Sequence, residues 1–203
     1  MLTLENVTIA RNGITIINGF GVTIFPGTCL VVSGKNGSGK TSLLKHLAGI
    51  NSYGGGSIYF NNVDVSNHRD EYHSMICHVG HSNALSSELT VYENLEYWAN
   101  INNRSETISA ALSVFGLYDL LTHPVGTLSQ GWQRKVALTR LLLSSAVIWY
   151  LDEPYTNLDT ESCNALDNMI YAKCNNNGIV VIASHKPETV LNSICINLDE
   201  MMK

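Results

Sequence analysis

GKNGSGKT, Gly34 to Thr41, and VIWYLDEP, Val147 to Pro154, are the stretches that decide the fold. The first fits the phosphate-loop pattern G-x-x-x-x-G-K-[ST] at Gly34, Gly39, Lys40 and Thr41. Gly34, Gly37 and Gly39 let the backbone curl until successive N–H groups face phosphate oxygens, and a helix opening near Lys40 adds its positive dipole end. The candidate cradle is Gly34, Lys35, Asn36, Gly37, Ser38, Gly39, Lys40, Thr41 and Ser42. Lys40 can neutralise phosphate charge, and the Thr41 hydroxyl can ligate Mg²⁺. The second stretch is an apolar run ending in Asp152 and Glu153. Open α/β sheets bind ligands at the carboxyl ends of their strands, so Asp152 is the candidate second magnesium ligand. Glu153, beside it, would orient the attacking water. Together the two stretches predict a domain that hydrolyses a nucleoside triphosphate.

Working outward, CLVVSG before the loop and IVVIASH after the acids are short, nearly continuous apolar runs. That pattern belongs to parallel strands covered on both faces. Residues 1–33 read as strands punctuated by glycine and Pro26-Gly27. Thr41 to Gly49 reads as a helix with an apolar stripe of Leu43, Leu44, Leu47 and Ala48. Gly54-Gly55-Gly56 reads as a turn and SIYFNNVDV as one further strand. From Ser82 to Thr127 the apolar spacing turns helical, at Val91, Leu95 and Trp98 and then at Ile108, Ala111, Leu112 and Phe115. This region is expected to be a helical subdomain inserted in the α/β core. GWQRKVALTRLLL reads as a strong helix, with Val136, Leu138 and Leu141 to Leu143 facing the sheet.

The 203 residues are expected to form one domain. Charged residues are 14% of the chain, against about 25% in ordinary soluble domains. The net charge of -5 argues against a nucleic-acid partner, which calls for a basic face. No apolar run reaches the roughly 18 residues of a membrane span. The first residues, MLTLENVTIARNG, lack the charged start and apolar core of a signal peptide, so the chain is expected to stay in the cytoplasm. Cys29, Cys77, Cys163, Cys174 and Cys195 are scattered singly and read as reduced thiols.

Three further segments follow in order: LSQGWQRKVALTR (Leu128 to Arg140), Asn157-Leu158-Asp159 and Ser184-His185. With the phosphate loop and the acids, they resemble the signature, D-loop and switch histidine of the ATP-binding-cassette ATPases. The resemblance covers essentially the whole chain. It implies a P-loop α/β cassette with an antiparallel β subdomain and an inserted helical subdomain of about residues 82–127. It also implies a head-to-tail dimer of two copies with two ATP molecules at the interface. Ser129 and Gly131 would then contact the γ-phosphate in trans. His185 would contact it in cis and hold the catalytic water with Glu153, and Asp159 would join the two copies.

The chain departs from that family at three places. Arg11 stands where an aromatic ring usually stacks on adenine; a guanidinium plane can also stack on a base. Gln130 replaces the first signature glycine and Trp132 the usual glutamine, and Trp132 has two readings, as a cover for ribose or base or as packing at the interface. His81, in CHVGHSNALSSELTVYENLEYW, stands where most relatives carry a glutamine that reaches the magnesium and the attacking water. The V-G-H, L-T and E-N-L pattern of that segment is similar to the ATP-binding subunits of the haem exporters of cytochrome c maturation. That branch implies integral membrane permease subunits as partners and a peripheral place on the cytoplasmic face of the inner membrane. Haem would be handled by the partners rather than by His73, His78 or His81. Three alternatives stay open at this point: a cassette for another exported substrate, a soluble cassette ATPase of translation or DNA repair, and a degenerate binding module. About 87 residues separate Thr41 from Ser129, too few for the long coiled-coil insertions of soluble cassettes. Intact Lys40, Asp152, Glu153 and His185 oppose degeneracy.

Overall fold

Alternating burial along LTLENVTIAR and its neighbours makes a half-covered antiparallel sheet, while fully buried CLVVS, IWYLD and IVVIA make a parallel one. The computed structural model describes residues 1–11, 13–51, 54–185 and 193–201. The antiparallel sheet contains β1 (Leu2–Arg11), β2 (Ile14–Ile24), β4 (Gly54–Phe60) and β5 (Val63–Asp64), in the order β2-β1-β4-β5. The five-stranded sheet contains β3 (Cys29–Ser33), β6 (Ile76–Val79), β7 (Ile148–Asp152), β8 (Ile179–Ala183) and β9 (Ser193–Asn197), in the order β6-β7-β8-β3-β9. The helices are α1 (Lys40–Leu47), α2 (Arg69–Ser74), α3 (Val91–Ile101), α4 (Ile108–Val114), α5 (Gln130–Thr139), α6 (Thr160–Asn175) and α7 (Leu198–Met201).

The chain divides into two compact units. One comprises Met1–His78, Ala146–Glu153 and Ile170–Lys203; the other comprises Val79–Ser145 and Pro154–Met169. The core of the first unit joins Leu2, Leu4, Val7 and Phe20 of the antiparallel sheet to Leu43, Leu44 and Leu47 of α1 and to Leu30, Val32, Tyr150 and Val181. Within it the Tyr72 and Tyr150 hydroxyls lie 2.5 Å apart, and the Tyr72 hydroxyl donates to the Leu47 carbonyl at 3.0 Å. Burial pushes both phenols above their ordinary value of 10.0. The unfolded chain therefore ionises first, so the pair's contribution is complete below the ordinary value and is lost as pH rises through the folded-state values. In melting series of the parent and of Tyr72→Phe from about pH 8 to about pH 11, the pair's own share of the fall is expected to begin near pH 10. Tyr72→Phe should fall less steeply; an equal fall in both would remove Tyr72 from that role.

Two expectations from sequence are corrected in this unit. Gly54-Gly55-Gly56 is no turn but the start of β4, paired with β1 at Ile9↔Gly54 and Thr8↔Gly55. A Cβ at Gly54 would sit 2.6 Å from the His46 ring, and one at Gly56 would sit 2.5 Å from the Asn6 carbonyl. The glycines admit a close approach of backbone rather than a reversal. SIYFNNVDV is two strands, because Asn61 and Asn62 both take positive φ (51° and 65°), the signature of a tight hairpin turn. Val65 then opens a short 3-10 turn.

In the second unit, Thr90 caps α3 by accepting the Glu93 N–H, and the Glu93 carboxylate accepts the Thr90 N–H. Buried Asn94 accepts the Ser86 N–H and donates to the carbonyls of Ser86, Leu89 and Thr90. The E-N-L motif thus braces the segment that precedes its own helix. α5 ends at Thr139, short of the expected Leu143; turns carry the chain on from Arg140. Among the described residues, no helix is long and apolar enough to cross a membrane.

Candidate functional site

Parallel register brings the chemistry of the first unit to one end of its sheet. Asp152 pairs with Ala183, and Val32 pairs with the same Ala183. Past those pairs the Glu153 N–H donates to the Ala183 carbonyl at 2.9 Å, and the Ser184 N–H donates to the Val32 carbonyl at 3.0 Å. Asp152, Glu153, Ser184, His185 and the phosphate loop therefore all leave the carboxyl ends of neighbouring strands.

The loop after β3 turns through Gly34 (φ 147°), Gly37 (90°) and Gly39 (95°). Gly39 caps α1, and a Cβ there would meet the Ile16 side chain at 2.9 Å. Ile16 and Ile17 of β2 thus back the loop, a role that sequence spacing does not reveal. Buried Lys40 donates to the Gly34 carbonyl at 2.7 Å and to the Lys35 carbonyl at 3.0 Å. The Lys35 carbonyl also accepts the Ser38 N–H. Lys35, Asn36 and Gly37 are exposed, Ser38 is buried, and Ser42 lies in the first turn of α1.

The Thr41 hydroxyl donates to Asp152 Oδ1 at 3.1 Å. Two oxygen donors of the hard type that suits magnesium thus meet at the foot of α1, so the residues present fit that ion. Glu153 has a positive φ of 46°, a conformation that strains a side-chain-bearing residue and is maintained here by its bond to Ala183. Its Oε2 lies 2.9 Å from His185 Nδ1. His185 is exposed and Glu153 largely covered. An acid paired to an imidazole beside a phosphate cradle is equipped to hold a water and pass on its proton. Arg11 is exposed on the last rung of β1, opposite Ile14.

The second unit carries the signature segment. Ser129 caps α5, its hydroxyl accepting the Trp132 N–H at 3.4 Å, and the first turn of α5 holds no acid. A Cβ on Gly131 would sit 2.8 Å from the Asn157 carbonyl, so only glycine lets the D-loop pass. Asn157 donates to the Gln130 side chain at 3.1 Å. Lys135 lies over the Trp132 ring at 4.2 Å and donates to Asp159 at 2.8 Å. That bond to Lys135, and a second from Ser162, hold the Asp159 carboxyl well below its ordinary range. Ser129, Gly131, Trp132, Lys135 and Asp159 line a recess of about 460 Å³.

His81 is exposed in the bend after β6. Buried Arg134 steadies that bend, donating to the Gly80 carbonyl at 2.8 Å, to Asn83 Oδ1 at 3.1 Å and to the Pro154 carbonyl at 3.3 Å. From sequence Arg134 stands out only as a member of the helix GWQRKVALTRLLL. Among the described residues, no cluster of three or more His, Cys, Asp or Glu could hold a metal ion by itself.

A family model described as "ABC transporter" matches residues 17–156. The chain is 38% identical over 185 residues to the cytochrome c biogenesis ATP-binding export protein CcmA of Wolbachia pipientis, covering 91% of this chain and 89% of that one. It is 35% identical to the CcmA of Vibrio vulnificus, over 92% of each chain. Among solved structures it is similar to an ABC transporter ATP-binding protein of Pyrococcus furiosus (TM-score 0.84, 25% identity, 98% of each chain). The dimeric structure of the bacterial ABC transporter cassette MJ0796 shares the fold (TM-score 0.86, 21% identity, 98% of this chain and 95% of that one).

Proposed function

The chain belongs to the ABC transporter family, and from that premise we propose that it is the ATP-hydrolysing subunit of a membrane complex serving haem export in cytochrome c biogenesis. The relatives that support the haem assignment bear the name CcmA and match almost the whole chain. The observation that carries the ATPase reading is one strand-end cluster: Lys40 in the loop, Thr41 on Asp152, and Glu153 on His185.

In this reading the loop residues Gly34 to Ser42 hold the phosphates of ATP and Arg11 stacks on the base. Thr41 and Asp152 hold Mg²⁺, which when bound supplies charge neutralisation at the phosphates. Lys40 turns from the loop carbonyls towards phosphate oxygens. Glu153 accepts hydrogen bonds from the attacking water and takes its proton, and His185 fixes the Glu153 carboxylate through Nδ1 while its ring faces the γ-phosphate. His81 assists at the water. Two copies pair head to tail, and Ser129 and Gly131 of one close on the ATP held by the other. Closing excludes water; loss of phosphate removes the bridge and reopens the pair. The helical subdomain of about residues 82–127 conveys this to integral permease subunits at the cytoplasmic face of the membrane. Haem stays with those partners.

The test is capture of Glu153→Gln with ATP from detergent-solubilised native membranes, followed by mass spectrometry and a haem spectrum. Small membrane subunits with a haem-carrying protein are expected. A different permease would keep the ATPase and discard haem; ribosomes or repair proteins would discard transport.

A further inference from the structure

The pairing of β9 with β3 has a local result at the phosphate loop. The strands run parallel and in register from Cys29↔Ser193 to Ser33↔Asn197. The next two residues of each strand therefore emerge side by side: Gly34 and Lys35 from one, Leu198 and Asp199 from the other. Leu198 is buried in the core and anchors the turn. The Asp199 N–H donates to the Asn197 side chain at 3.1 Å, which orients the residue. The Asp199 carboxylate then accepts the Lys35 N–H at 3.0 Å. A Cβ on Gly34 would sit 3.4 Å from its other oxygen and 2.6 Å from the Ser38 hydroxyl, so Gly34 leaves room for both.

Lys35 is thus held at both of its backbone polar groups. Its N–H is held by Asp199, and its carbonyl by Lys40 and by the Ser38 N–H. We propose that Asp199 is a positioning residue for the phosphate loop, acting on Lys40 through the Gly34–Lys35 turn. The carboxylate does not touch phosphate. It fixes the two carbonyls against which the Lys40 ammonium rests, and so fixes where that charge stands when phosphate arrives. A charge-assisted bond to a backbone N–H is stronger than a neutral one, which suits a residue that must hold an exposed, glycine-rich turn.

The inference rests on the reading of this loop as the nucleotide site, and the test separates the two. The purified full chain is titrated with a fluorescent ATP analogue and Mg²⁺, and KM and kcat for ATP are measured separately. Asp199→Ala is expected to weaken binding about tenfold, the scale of a lost charge-assisted hydrogen bond, with KM rising more than kcat falls. Asp199→Asn keeps an acceptor oxygen without the charge and should lose less than Asp199→Ala, about two- to fivefold. Wild-type affinity in Asp199→Ala, or an equal loss in Asp199→Asn, overturns the proposal. If Asp199→Ala does not fold, Asp199→Glu serves: its oxygen is displaced by one methylene, an intermediate loss is expected, and parental affinity overturns the proposal. A parent chain that binds no nucleotide would overturn the site reading itself.

Discussion

Glu153→Gln is expected to lower the turnover number by about 10²- to 10⁴-fold, the usual contribution of a general base, while ATP binding stays near that of the parent. The substitution is isosteric, and an amide oxygen can still meet His185 Nδ1, now 2.9 Å from the carboxylate. What is lost is the ability to take a proton from water. In the proposed reading binding rests elsewhere, on Lys40, which donates to the Gly34 carbonyl, on the loop amides and on the Thr41–Asp152 pair. Phosphate release and fluorescent-nucleotide titration on one preparation check both halves. Turnover like that of the parent would remove Glu153 from the catalytic role. Loss of binding and turnover together would instead point to collapse of the strained turn at this positive-φ residue.

Gly56→Val should cost about 3–5 kcal/mol of stability, in the range reserved for core clashes and forbidden backbone. Gly56 has φ 88°, and an added Cβ would stand 2.5 Å from the Asn6 carbonyl oxygen and 2.6 Å from that of Glu5. Those atoms are backbone of the neighbouring strand and cannot rotate aside. The register between β1 and β4 shifts here, between Glu5 and Thr8. One residue away, Gly55 is exposed and has nothing within 4 Å of an added Cβ. Gly55→Val is accordingly expected within about 0.5 kcal/mol of the parent. Urea unfolding of the two variants decides the matter; equal losses would show that the bulge is not the cause.

The contrast between those glycines also shows where sequence reading stops. A glycine triplet is ordinarily punctuation, and nothing local says that a bulge in a distant strand needs it. The phosphate loop and the acids were legible because their chemistry is written in adjacent residues. VIWYLDE and IVVIASH were legible as buried strands because burial on both faces leaves an unbroken apolar run. The Asn61-Asn62 turn was missed because the apolar residues on either side read as one strand. β9 and α7 went unread, since SICIN is an edge strand of mixed exposure, and Asp199 lies 164 residues from its partner Lys35. The altered signature residues could be seen but not interpreted. Only coordinates show Gln130 bonded to Asn157 and Trp132 under Lys135.

The strand order has a consequence for biosynthesis. β3 lies between β8 and β9, so neither edge of CLVVS finds a partner until residues near Ala183 and Asn197 exist. At the usual pace of translation, the interval from Ser33 to Ala183 is about 8–30 s. Throughout it, an apolar strand waits on the nascent chain with both ladders open, a natural client for a chaperone. The nucleotide cradle is among the first segments made and among the last to gain its shape, so a ribosome stalled short of β8 would carry a phosphate-loop sequence that cannot yet hold a phosphate.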